Sequence, residues 1–201
     1  MKILTTLAVL SLLLLGCAAE QPTEVVSVQG MQLDFTLNDM VKRSDAVVVG
    51  VVSETLATTT IDGPAPPGKT PNHQEEFRNY RLSVDTTFYP AGLPASIALM
   101  TGPYPVSDNP NVFVEQDDIP ELAVGEKVLL FLDRLDGPEY ANSPTNNPPA
   151  GYSKANWYRP VTGSTFGKLT ERDGRWEDTR SFTTISVQEV RAAIDKEKTG
   201  S

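Results

Sequence analysis

Between Ala46 and Val52 the chain reads AVVVGVV, and a strand of that composition is apolar on both of its faces. At a period of two, Val47, Val49 and Val51 face one way while Val48, Gly50 and Val52 face the other, so each side needs a covering layer. A sheet open to water on one side is excluded for this segment. Gly50 in mid-strand marks a bulge or the tight bend of a small barrel, unless it stands incidentally in an ordinary central strand. Directly upstream the spacing is helical: Leu37, Met40 and Val41 form one stripe, with Thr36 as N-cap and Asp39 placed to close a capping box. Lys42 and Arg43 follow in the last turn, where cations suit the helix dipole.

The chain starts with a different kind of segment. Lys2 is a minimal positive region, and Ile3 to Leu15 is an uncharged, leucine-rich run, too short to span a bilayer comfortably and suited to the apolar core of a signal peptide. The run ends in Leu14-Leu15-Gly16-Cys17, which resembles the lipobox of bacterial lipoproteins. That resemblance implies removal of residues 1–16, a diacylglyceryl group on the Cys17 thiol and often acylation of the new amino terminus. Cys17 is the one cysteine of the chain, so it forms no internal disulfide, and lipidation accounts for a lone thiol in an exported protein. The protein is thus expected outside the cytoplasm, held by lipid on the outer face of a bacterial membrane. Residues 17–30 read as a flexible, polar tether and residues 31–198 as a single globular domain.

Once residue Lys2 is removed with the leader, 16 of the 17 Lys and Arg residues face 26 Asp and Glu, an acidic balance that disfavours phosphate-rich partners. Thr58 to Glu76 is rich in proline and threonine and reads as loop; it carries His73, the one histidine, here a bystander. Phe77 to Phe88 alternates cleanly, with Tyr80, Leu82, Val84, Thr86 and Phe88 opposed to Asn79, Arg81, Ser83, Asp85 and Thr87, as a half-buried antiparallel strand does. A short strand follows from Ser96 to Thr101. Tyr104 to Gly125 reads as loop and concentrates Glu115, Asp117, Asp118 and Glu121. These carboxylates are either a hard-cation site or a solvated acidic loop; they lack the alternating ligands and turn glycine of a calcium loop. Glu126 to Arg134 is a second strand apolar on both faces, the natural neighbour of the first.

Leu135 to Asn156 is a further long loop bearing Tyr140 and Tyr152, and it leads into Trp157. Those three aromatics form a stacking platform for a sugar or peptide, or else fold back to cap the end of the sheet. Arg172-Asp173-Gly174 marks a hairpin. Ser186, Glu189 and the Ile185–Val190 staple open a final helix whose apolar face is Val187, Val190 and Ile194.

The elements SDAVVVGVV, YRLSVDTTF and GEKVLLFL resemble exported bacterial domains similar to the netrin module and the tissue inhibitors of metalloproteases. The resemblance implies a mainly β, α+β fold: an OB-like antiparallel β-barrel with a short N-terminal helix and a C-terminal helix packed on it. This chain lacks the disulfides of the eukaryotic members and the amino-terminal cysteine that the inhibitors insert into a protease site, so no residue carries over as inhibitory. The residues themselves point to a non-catalytic binding module at the cell envelope. Nucleic acid is not an expected partner, since an acidic chain with no basic, aromatic-lined groove repels phosphates. No spacing pairs a nucleophile with a base, so an enzyme is not expected, nor any cofactor beyond the covalent lipid on Cys17. The expected partners are the membrane, through that lipid, and an envelope protein or glycan; a protease-inhibitor-like or scaffold role is the alternative, and a hydrolase the less favoured one.

Overall fold

The computed structural model describes residues 24–28, 36–62, 74–106, 112–116, 122–136, 147–161, 168–177 and 184–199. In chain order the elements are β1 (Glu24–Val28), α1 (Leu37–Arg43), β2 (Ala46–Thr55), β3 (Thr59–Asp62), β4 (Gln74–Tyr89), β5 (Ser96–Val106), β6 (Val112–Gln116), β7 (Lys127–Arg134), β8 (Trp157–Pro160), β9 (Lys168–Arg172), β10 (Arg175–Glu177), β11 (Thr184–Ile185) and α2 (Val187–Ile194). A π-helical turn over Asp195–Thr199 continues α2. Among the described residues the protein is mainly β, with two α-helices, as the periodicities predict.

Most strands belong to one sheet, ordered β11-β10-β9-β7-β2-β4-β5-β8, with β3 added against β4. Because β8 also pairs with β7, the ladder β7-β2-β4-β5-β8 returns on itself as a ring of strands. Its closure is short: β5 and β8 share a parallel register over Ala98↔Trp157 and Leu99↔Tyr158, and β7 and β8 an antiparallel one over Leu132↔Pro160 to Arg134↔Tyr158.

The two covering layers demanded by β2 are both present. Ala46, Val48 and Val52 join Tyr80, Leu82, Ile97, Leu99, Val128, Leu130, Leu132 and Tyr158, a cluster fed by all five ring strands and therefore inside the ring. Val47 and Val49 point outward, with Leu129 and Phe131, into a second core closed by Met40 and Val41 of α1, by Trp176 and Ile185, and by Val190, Ala193 and Ile194 of α2. Strand β7 thus divides its apolar residues between two cores, as its alternation predicts. Lys198 fastens this layer by donating to the carbonyls of Lys42 and Ser44, 3.1 and 2.8 Å away, at the carbonyl-rich end of α1.

Backbone irregularities account for several departures from the predicted pattern. Strand β4 carries register shifts against β2 between Val47/Val48, Val49/Gly50 and Val52/Glu54. The first lies where Phe88 has no register partner on β2, and Phe88 packs with the helix-covered core and not with Tyr80 and Leu82. A strict period of two could not show this, because each extra residue in a strand exchanges its faces. Gly50 lies beside another of these shifts. A Cβ there would overlap the carbonyl oxygen of Ser83 and come within 3.0 Å of Leu82 Cγ, so the glycine is required and not incidental.

Three segments read as irregular contain strand. Glu24–Val28, inside the predicted tether, pairs in parallel with Val112–Gln116, inside the predicted acidic loop. Thr59–Asp62 pairs with the start of β4, and β5 runs on to Val106, so the stretches from Thr58 and from Tyr104 are loop only in part. Ladder hydrogen bonds satisfy backbone groups irrespective of local apolar periodicity, which is the signal these short segments lack. At the Asp173-Gly174 hairpin both residues have positive φ, 51° and 76°, the conformation that a two-residue primed turn needs.

Both helices begin with complete capping boxes. Asp39 accepts from the Thr36 backbone N–H and hydroxyl at 3.0 and 2.6 Å, and Glu189 from the equivalent groups of Ser186, both at 2.7 Å. These hydrogen bonds lower both carboxyl pKa values below the ordinary range, in Asp39 chiefly through the Thr36 side chain and in Glu189 chiefly through the Ser186 backbone. A carboxylate whose folded pKa is depressed adds stability above its unfolded pKa and loses it as pH falls through the folded one. Stability is therefore expected to decline as the pH drops below about 4. Glu189→Gln retains an acceptor for the box but does not titrate, and should flatten that decline in denaturation midpoints measured between acid and neutral pH; an unchanged acid limb would remove Glu189 from its cause.

Candidate functional site

Of the predicted aromatic platform the structure describes Tyr152 and Trp157, the first at the surface and the second in the core. Trp157, at the start of β8, is 2 % exposed and packs with Ala98, Met100 and Leu135, flanked by Leu56, Phe77 and Tyr152. Its indole N–H donates to Asn79 Oδ1 at 3.1 Å, while Asn79 Nδ2 donates to the Ala57 carbonyl at 2.8 Å. Trp157 is therefore corrected from candidate contact residue to structural residue. Asn79 is corrected with it: read as solvent-facing, it is 3 % exposed. The alternation of β4 placed Asn79 on the right face of the strand, but only the return of the chain through Trp157 covers that face.

Tyr152 stands over this third cluster, half-buried, and its hydroxyl is the centre of a surface network. It accepts from Arg81 Nε at 2.8 Å and lies 3.1 Å from Ser96 Oγ. On its other side Arg81 meets Glu54, with Nη1 2.7 Å from Oε2. The hydrogen bond to Tyr152, followed by electrostatic interaction with Tyr152 and with Glu54, raises the Arg81 pKa above its ordinary value. The guanidinium is a permanent cation, and the result is a phenol held through its hydroxyl beside a charged, planar group on β4. Residues of β2, β4, β5 and the loop before β8 meet here, a juxtaposition no local spacing shows. The alternation of β4 exposes Arg81, yet nothing in it names Tyr152 as its partner.

Tyr140, Cys17, His73, Asp117, Asp118 and Glu121 lie outside the described residues, and Glu115 sits in β6. Among the described residues no three or more His, Cys, Asp or Glu side chains stand close enough to share a metal ion. Nor does any described helix have the length and apolarity to cross a membrane. The sequence matches no protein-family model and no curated protein.

Proposed function

We infer that this protein is an exported lipoprotein, acylated at Cys17 and held on the outer face of a bacterial membrane, whose domain is a non-catalytic binding module for an envelope protein or glycan. The Leu14-Leu15-Gly16-Cys17 sequence after a short apolar run is what carries the anchoring. The OB-like barrel belongs to the same reading. A ring of pairings over five strands, with one parallel pair and two helices packed outside, supports it.

The contact surface is assigned to the Tyr152 network. An amphipathic ring held by Arg81 and Ser96, half-buried and backed by a packed cluster, presents an apolar edge and polar groups with little ordering left to lose on binding. The test has two arms on protein taken from detergent-solubilised membranes. Mass spectrometry of the amino-terminal peptide should find lipid on Cys17; an unmodified thiol, or cleavage elsewhere, disproves the anchor. In pull-downs at a temperature where both proteins stay folded, Tyr152→Ala should lose partner recovery, and equal recovery with the unaltered protein disproves the assigned surface. Trp157 is left intact in this experiment because its removal would unfold the very layer that supports Tyr152.

A further inference from the structure

Strand β1 lies a few residues after Cys17, yet its partner is far along the chain. Glu24–Val28 pairs in parallel with β6, from Glu24↔Val112 to Val28↔Gln116, as a two-stranded sheet apart from the main one. We propose that β1 is a strap: paired with β6 it holds the domain close to the lipid surface, and unpaired it lets the domain stand away. This rests on the reading of Cys17 as the lipid anchor.

Chain length sets the two reaches. With β1 paired, only residues 18–23 lie between Cys17 and a strand joined to the domain, and a chain of that length spans at most about 25 Å. With β1 unpaired, residues 18–35 lie between Cys17 and Thr36, the N-cap of α1, and the limit rises to about 65 Å. Pairing also sets a direction. Because the strands run parallel, Glu24 enters beside Val112, which residues 107–111 connect to the end of β5. There Val106 pairs with Gln74, and Gln74 with Asp62, so the shared tip of β3, β4 and β5 is the end drawn toward lipid. Arg81 of the Tyr152 network is about 20 Å along β4 from Gln74, so a closed strap limits the height at which that surface meets a partner.

The pairing is suited to open and close. Val25, Val26 and Val28 in β1, and Val112, Phe113 and Val114 in β6, favour extended backbone. A two-stranded sheet is nevertheless marginal by itself, and parallel pairing is slightly weaker than antiparallel, so β1 can detach at a cost below that of global unfolding.

Two measurements on the full, acylated protein test the strap. Ser27 and Glu115 are register partners, so Ser27→Cys with Glu115→Cys should form a disulfide under mild oxidation. For the reach, Asp62→Cys, exposed at the end of β3, carries fluorescein, and energy transfer is read to rhodamine-labelled phosphatidylethanolamine in phosphatidylcholine vesicles. Phe113→Pro with Val114→Pro removes two successive backbone donors, of which one must point at β1, and should lose most of the transfer seen in the otherwise unaltered chain. Val25→Pro with Val26→Pro opens the strap from the tether side, leaves β6 unaltered and should give the same loss. Undiminished transfer in either proline pair, or failure of the disulfide to form, overturns the strap while lipid on Cys17 stays demonstrable by mass spectrometry. Absence of that lipid overturns anchor and strap together.

Discussion

Replacing Trp157 with alanine is expected to lower the unfolding free energy by about 3–5 kcal/mol, the range for deleting a large aromatic from a packed interior. The cavity would open against Ala98, Met100 and Leu135, all at most 6 % exposed, on backbone fixed by pairing to β5 and so unable to close the space. A second cost arises at Asn79, whose Oδ1 loses the indole donor while its amide nitrogen stays committed to Ala57. Trp157→Phe separates the two. It keeps most of the volume and removes the N–H, so it should cost about 1–3 kcal/mol, the range for a buried acceptor left unsatisfied. Urea titrations followed by tryptophan emission report both variants, since the chain holds two tryptophans and the other, Trp176, is buried at 4 %. A Trp157→Ala midpoint close to that of the unaltered protein would place the indole at the surface after all, and would reopen its role in binding.

Gly50→Val should cost about 2–3 kcal/mol, the upper part of the range for overpacking a well-filled interior. The obstacle begins at Cβ, which would overlap the Ser83 carbonyl of β4, and backbone of a paired strand cannot swing aside as a flexible side chain can. Gly50→Ala should therefore carry much of the same penalty. That distinguishes this position from a site crowded only further out, where alanine would be tolerated and valine would not. Equal urea midpoints for Gly50→Ala and the unaltered chain would mean that β2 and β4 separate at little cost here. The expected loss also bears on the ring of strands, because a register shift falls between Val49 and Gly50, where Asp85 of β4 has no register partner on β2.

The strongest elements were legible because their information is local. The box of Thr36 and Asp39, that of Ser186 and Glu189, and the Asp173-Gly174 turn each complete their hydrogen bonds or backbone geometry within a few residues. The doubly apolar alternation of β2 and β7 stated in advance that both strands are interior, and the two cores divide their side chains accordingly. Periodicity likewise separated the apolar stripe of α2 from its charged side. Lipidation at Cys17 also rests on contiguous residues, and for that reason it is a proposal drawn from sequence alone.

What stayed hidden depends on segments far apart in the chain. Asn79 and Trp157 are 78 positions apart, and Arg81 and Tyr152 71, so neither the burial of the first pair nor the surface network of the second leaves a trace in spacing. Strands β1, β3 and β6 are short and lack a distinctive apolar rhythm; ladder bonds to distant partners make them strands. Phe88 was assigned the wrong neighbours because a register shift in β4 exchanges faces, and a shift of that kind exists only where two strands meet. Local hydrogen bonding and alternation thus defined the helices, the turn and the central strands from the residues themselves. Contact at long sequence separation settled that Asn79 and Trp157 are buried together and that Tyr152 stands at the surface beside Arg81.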